Sequence, residues 1–177
     1  MKLLKYYIAL IIVFTSLMNS CTFGGRSELL FTDNNKIADE TFHQFLQAIK
    51  LEDASHIKSL FSSTAQNEQG NIDEEALKLI EFIKGNIVSY TSAEESGVSA
   101  DYEKDNGKSK KMIQPSFCIE TTESKYYVAI KECIIDEFES NNVGVMSIYI
   151  IEAKNWNQDY VYRGDGKWTY GINIIDY

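Results

Sequence analysis

The feature that most constrains the fold of this chain is a change of hydrophobic period at Gly85. Before it, Ile37, Ala38, Phe42, Phe45, Leu46 and Ile49 recur at three- and four-residue spacing. That spacing puts them on one face of a helix and turns Asp39, Glu40 and Gln44 away. A shorter helix is predicted after Asp53, an N-cap residue, with Ile57, Leu60 and Phe61 inward. A third is predicted over 71–84, where Asn71 and Glu74 stand at capping-box spacing and Gly85 closes the end. Its inward residues are read as Ala76, Leu77, Ile80 and Ile83. Beyond Gly85 the apolar residues alternate, and 86–93, 111–122, 125–138, 143–153, 160–163 and 167–175 read as strands. Helices followed by strands predict the α+β class. The polar stretch 94–110, with Gly97 and Gly107, reads as a long connection.

One strand register follows from the pattern. If Glu123 and Ser124 form a two-residue turn, Thr122 lies opposite Lys125, Ile119 opposite Val128, Phe117 opposite Ile130 and Ile113 opposite Ile134. A slip by one residue would scatter that apolar set. Pro115 then predicts a bulge or an edge. In this register Cys118 lies opposite Ala129 and Cys133 opposite Gln114, roughly 13 Å apart along the ladder. A disulfide needs Cα atoms within about 7 Å, so both thiols are expected to be free.

The N-terminus speaks to location. Lys2 and Lys5 precede an apolar run from Ile8 to Met18, a length that suits a secretory signal and falls short of the roughly 20 residues of a spanning helix. Ser20 and Cys21 end the sequence LMNSC, which resembles the lipobox of bacterial lipoproteins. The resemblance implies that residues 1–20 are a signal peptide, that Cys21 is lipidated, and that the protein is held on the outer face of the cytoplasmic membrane. Residues 21–33 read as a tether and 34–177 as one α+β domain. Two acyl chains or more anchor stably, where a single chain binds only marginally. Loss of residues 1–20 takes away two lysines and no acids from a chain of net charge −9. So acidic a domain disfavours nucleic acid and anionic lipid surfaces as partners.

Several segments together resemble an uncharacterised family of Gram-positive bacterial lipoproteins: LFS at 60–62, IKGNIVSY at 83–90, YYVAIKECIID at 126–136, NVGVMSIYII at 142–151 and GKWTYGINI at 166–174. Such proteins are similar to the nuclear transport factor 2-like, or cystatin-like, fold. The resemblance implies helices packed in the hollow of a strongly curved antiparallel sheet, and it carries no activity or catalytic residues to transfer.

Glu132 falls on the apolar parity of the hairpin with Ile130 and Ile134, opposite Pro115 in the register above. An inward carboxyl has a raised pKa and is a candidate acid or base; at a Pro115 bulge it would instead turn to solvent. Asp136 shares the parity but is expected at the sheet rim, too far from Glu132 for a carboxylate pair. His43 and His56 sit on helices without a second ligand at metal spacing, and no cofactor motif or nucleophile signature appears. Arg163-Gly164-Asp165 has the letters of an integrin-recognised adhesion motif, but RGDGK suits a tight turn. Tyr126, Tyr160, Tyr162, Trp168 and Tyr170 gather in strands and are candidates for a pocket mouth or a contact face. The functional expectation is a non-enzymatic binding or interaction module for an unknown protein or small ligand. An enzyme of the same fold using Glu132, or a structural subunit of an envelope complex, are the alternatives.

Overall fold

A computed structural model describes Leu30 and residues 32–93, 97–156 and 168–175. The expected signal peptide, Cys21, most of the expected tether, Tyr160, Tyr162 and the Arg163–Asp165 tripeptide lie outside the described residues. Among the described residues no helix is long and apolar enough to cross a membrane.

Among the described residues, four helices from Asn34 onward come first. α1 is Asn34–Lys50, capped by Asp33, whose carboxylate accepts from the Asn35 amide at 2.9 Å. Its buried face is Ala38, Phe42, Phe45, Leu46, Ala48 and Ile49, the stripe its periodicity predicts with Ala48 added and Ile37 only half-buried. α2, Ala54–Leu60, starts at Asp53, which accepts from the His56 amide at 2.9 Å and buries Ile57. α3, Ser63–Gln69, is a helix the periodicity does not show. Ala65 is its buried apolar residue, and Ser62 caps it by accepting from the Ala65 amide. α4, Ile72–Phe82, buries Ile72, Ala76 and Leu79. Leu77, expected inward, is 53% exposed, because the buried stripe runs through Ile72, Ala76, Leu79 and Ile83 and Leu77 lies to one side of it. Nor does the capping box form: the Asn71 side chain donates to Glu75 Oε1 at 3.2 Å instead.

Seven strands follow in one curved, open, mixed sheet. They are β1 (Ile87–Ser92), β2 (Ala100–Asp105), β3 (Lys108–Ile113), β4 (Ser116–Thr121), β5 (Lys125–Asp136), β6 (Gly144–Glu152) and β7 (Gly171–Ile175). β4 and β3 lie in succession along β5, β1 and β2 flank them, and β6 takes the other side of β5. β6 and β7 run parallel, so the sheet is not wholly antiparallel as expected. The phenyl rings of Phe42 on α1 and Phe117 on β4 stack at 3.8 Å and 6°, which seats α1 on the inner face of the sheet.

The expected hairpin has the right face and the wrong register. Ile119 pairs with Tyr126, Phe117 with Val128 and Cys118 with Tyr127, two residues from the expectation. The loop is longer than two residues because Thr121 organises it: its Oγ1 accepts from the Glu123 and Ser124 amides and donates to the Ser124 carbonyl. A shift of two preserves which side chains face inward. Pro115 makes no bulge, since Ile130 donates to its carbonyl at 2.9 Å and Ser116 pairs with Ala129 beyond it. The irregularity falls at Lys111/Met112, where β5 carries the extra residue Ile134. Cys133 accordingly pairs with Met112 rather than Gln114, and both Cys118 and Cys133 are free thiols.

β2 occupies part of what reads as a connection. All six of its residues are exposed, so alternation has no buried face to report. Its turn was nevertheless legible: Asn106 and Gly107 both have positive φ, 47° and 80°, as a two-residue Asn-Gly hairpin requires.

Candidate functional site

Glu132 lies on β5 between Ile113 of β3 and Val145 of β6, beneath α1. Its neighbour on β3 is therefore Ile113 and not Pro115. The residue is 9% exposed, and Thr41 of α1 donates to Oε1 at 3.0 Å. Oε2 is buried without a hydrogen-bond partner among the described residues. Burial raises this carboxyl to about 7, against the pull of the single Thr41 hydrogen bond.

Asp136 sits at the far end of β5 and is buried, not at an open rim. It accepts from the Phe138 and Glu139 amides, from Asn142 Nδ2 at 2.9 Å and from Lys110 Nζ at 3.1 Å. Burial alone would raise it, but the hydrogen bonds from Asn142, Glu139 and Lys110 outweigh burial and hold it below the usual carboxylate value. Those bonds fix the turn after β5, which is a structural task.

The aromatic candidates separate. Tyr126 is 1% exposed; its hydroxyl accepts from the Lys84 amide at 2.9 Å and donates to the Phe82 carbonyl at 3.3 Å. It therefore ties down the end of α4 from within the core and faces no pocket mouth. Trp168 meets Tyr149 edge-on at 5.3 Å, with Lys131 Nζ 5.5 Å from its ring centre. Tyr170 is half-buried just before β7.

A polar cluster that the sequence pattern does not single out stands between α1 and β1. Tyr90 Oη lies 2.7 Å from His43 Nε2 and 3.4 Å from Asp39 Oδ1. Burial, then the Asp39 charge, push the Tyr90 hydroxyl above its ordinary value. Asp39 and His43 are four apart and so share a helix face, which was visible in the sequence. Tyr90 joins them only because β1 pairs with β4 and brings its ring against Phe42 and Phe117.

Two open clefts flank this cluster. One, of about 770 Å³, is walled by Asp33, Asp39, Glu40, His43, Ser92 and Val98 among others. Its end is closed where the Val98 amide donates to Asn35 Oδ1 at 2.8 Å and Asn34 Nδ2 donates to the Val98 carbonyl. The other, of about 600 Å³, is walled by Leu46, Gln47, Lys50, Ile87, Val88 and Tyr90 and also touches His43. Glu132 and Thr41 line neither. Among the described residues no three His, Cys, Asp or Glu side chains come close enough to hold a metal ion.

No curated protein matches this chain. A family model described as a domain of unknown function, DUF5104, matches residues 44–153, from the middle of α1 through β6. The match takes in most of the helical layer and six of the seven strands, and the chain belongs to the DUF5104 family.

Proposed function

We propose that this protein is a lipid-anchored, extracytoplasmic binding module of nuclear transport factor 2-like fold that receives its partner on the open side between α1 and β1. The anchor rests on the sequence LMNSC and the apolar run before it. The binding reading rests on one observation: two open clefts share His43, with Tyr90 and Asp39 beside it, between helix α1 and strand β1. Sites of this kind pair an apolar lining with a few placed polar groups. Among the described residues Glu132 lines neither cleft. Its buried carboxyl links α1 to β5 through Thr41.

Purification of the full-length chain from detergent-solubilised membranes tests this. Gln47→Trp, which fills one cleft from an exposed position, should strip off whatever co-purifies with the wild type. Lys104→Ala, on the exposed β2, should retain it. Retention by both variants would overturn the reading.

A further inference from the structure

The two clefts share His43 but differ in charge. One has Asp33, Asp39 and Glu40 against Lys36 in its walls. The other has Lys50 and no carboxylate. In a chain of net charge −9, the second is the cleft of the two that favours an anion. Among the described residues Lys50 forms no ion pair. Glu120 accepts from Ser89 Oγ at 3.3 Å beside this cleft, but Lys125 Nζ, 3.1 Å from it, neutralises it. His43, Gln47 and Lys50 are four and three residues apart and exposed, so they share one face of α1 as a row of N–H donors. The apolar wall is the buried Leu46 with Ile87 and Val88 of β1. Ile87 pairs with Thr121 and Ser89 with Glu120, which leaves Val88 as the extra residue of a bulge. A bulge re-aims side chains, and here consecutive residues wall the same cleft. Val88 is 64% exposed, an apolar surface with room for a partner.

We infer that this cleft receives the free C-terminus of another polypeptide, with its carboxylate on Lys50 and Gln47 and its last, aliphatic side chain against Leu46, Ile87 and Val88. This rests on the binding reading above and names the part of the partner that is held. The donors and the apolar wall stand side by side in one cleft of about 600 Å³. A single aliphatic residue presents a carboxylate and an apolar side chain from the same Cα only at a chain end, which is how C-terminal carboxylates are captured elsewhere. A pocket for a small acid would cover most of its ligand. An open cleft covers less, and so suits the end of a larger body that makes further contacts outside it. A second copy of this chain is disfavoured as the occupant, because two bodies of net charge −9 repel.

The test uses the full-length, ¹⁵N-labelled chain in neutral detergent micelles. The probes are the peptide acetyl-Ala-Ala-Ala-Leu with a free carboxylate, the same peptide amidated at its C-terminus, and N-acetyl-leucine. The inference expects the free-acid peptide to shift the amides of Gln47, Lys50, Ile87 and Val88 saturably, and the amidated peptide to bind about threefold more weakly. Lys50→Met keeps the apolar stem and removes the charge, so it should bring the free-acid peptide down to the level of the amidated one. N-acetyl-leucine should bind more weakly than the free-acid peptide. Equal binding of the acid and amide peptides, an unchanged preference in Lys50→Met, or no shift with any probe would overturn the inference. N-acetyl-leucine binding as tightly as the peptide would overturn it in favour of a small acid, and a concentration-dependent dimer shifting the same amides would overturn it in favour of a second copy. The co-purification experiment judges the binding reading separately, because a partner lost on Gln47→Trp but indifferent to Lys50→Met leaves that reading standing and removes this one.

Discussion

Glu132→Gln should make this protein more stable at neutral pH and leave it little changed in acid. The folded carboxyl sits at about 7 against an ordinary value of 4.5. Below pH 4.5 both folded and unfolded states hold the proton, so the group contributes nothing to the pH dependence. Between 4.5 and 7 the folded state keeps a proton that the unfolded chain has released, and stability falls as the pH rises. At 1.36 kcal/mol per pKa unit the loss is about 3 kcal/mol by neutral pH. Glutamine keeps the size and the acceptor for Thr41 while removing the titration. Urea denaturation of both proteins at steps from pH 4.5 to 7.5 reads the difference, in which all other titrating groups cancel. The gap between variant and wild type should open by about 3 kcal/mol across that window. Parallel stability profiles would refute the reasoning, because they would mean that the folded carboxyl titrates as it does in the unfolded chain.

Cys21→Ala should abolish acylation and leave the full-length precursor, which mass spectrometry of the N-terminus reads directly. Under denaturing, non-reducing conditions both Cys118 and Cys133 should react with a thiol reagent, and a peptide map joining them would contradict the observed register. Tyr126→Phe deletes two hydrogen bonds at the end of α4 and should cost about 1–3 kcal/mol in urea denaturation, with the Lys84 amide losing its protection from exchange. Phe42→Ala removes the ring stacked on Phe117 and should cost about 3–5 kcal/mol, enough to lower the melting temperature by many degrees.

Legibility followed burial. α1 could be read because its buried face is six apolar residues at helical spacing, whereas α3 offers only Ala65 and left no periodic trace. β2 was lost for the complementary reason, since a strand exposed on both faces has no alternation, although Asn106-Gly107 marked its turn. In the β4–β5 hairpin the inward set was right because side-chain period two survives a shift of two residues. The register itself depended on Thr121 binding three backbone groups of the loop, which alternation does not encode. Glu132 stood out as an acid on an apolar face. The His43–Tyr90–Asp39 cluster did not, because two of its members share a helix while the third arrives through strand pairing more than forty residues on.

Photo-crosslinking in intact cells reads directly whether a partner sits between α1 and β1. A photoreactive amino acid at Gln47, or at Ser89 on the rim of the same cleft, should form an adduct with a polypeptide. The adduct should disappear when Cys21 is changed to Ala, and the same group at Lys104 on β2 should form none. Adducts at Lys104 with none at Gln47 or Ser89 would contradict the account.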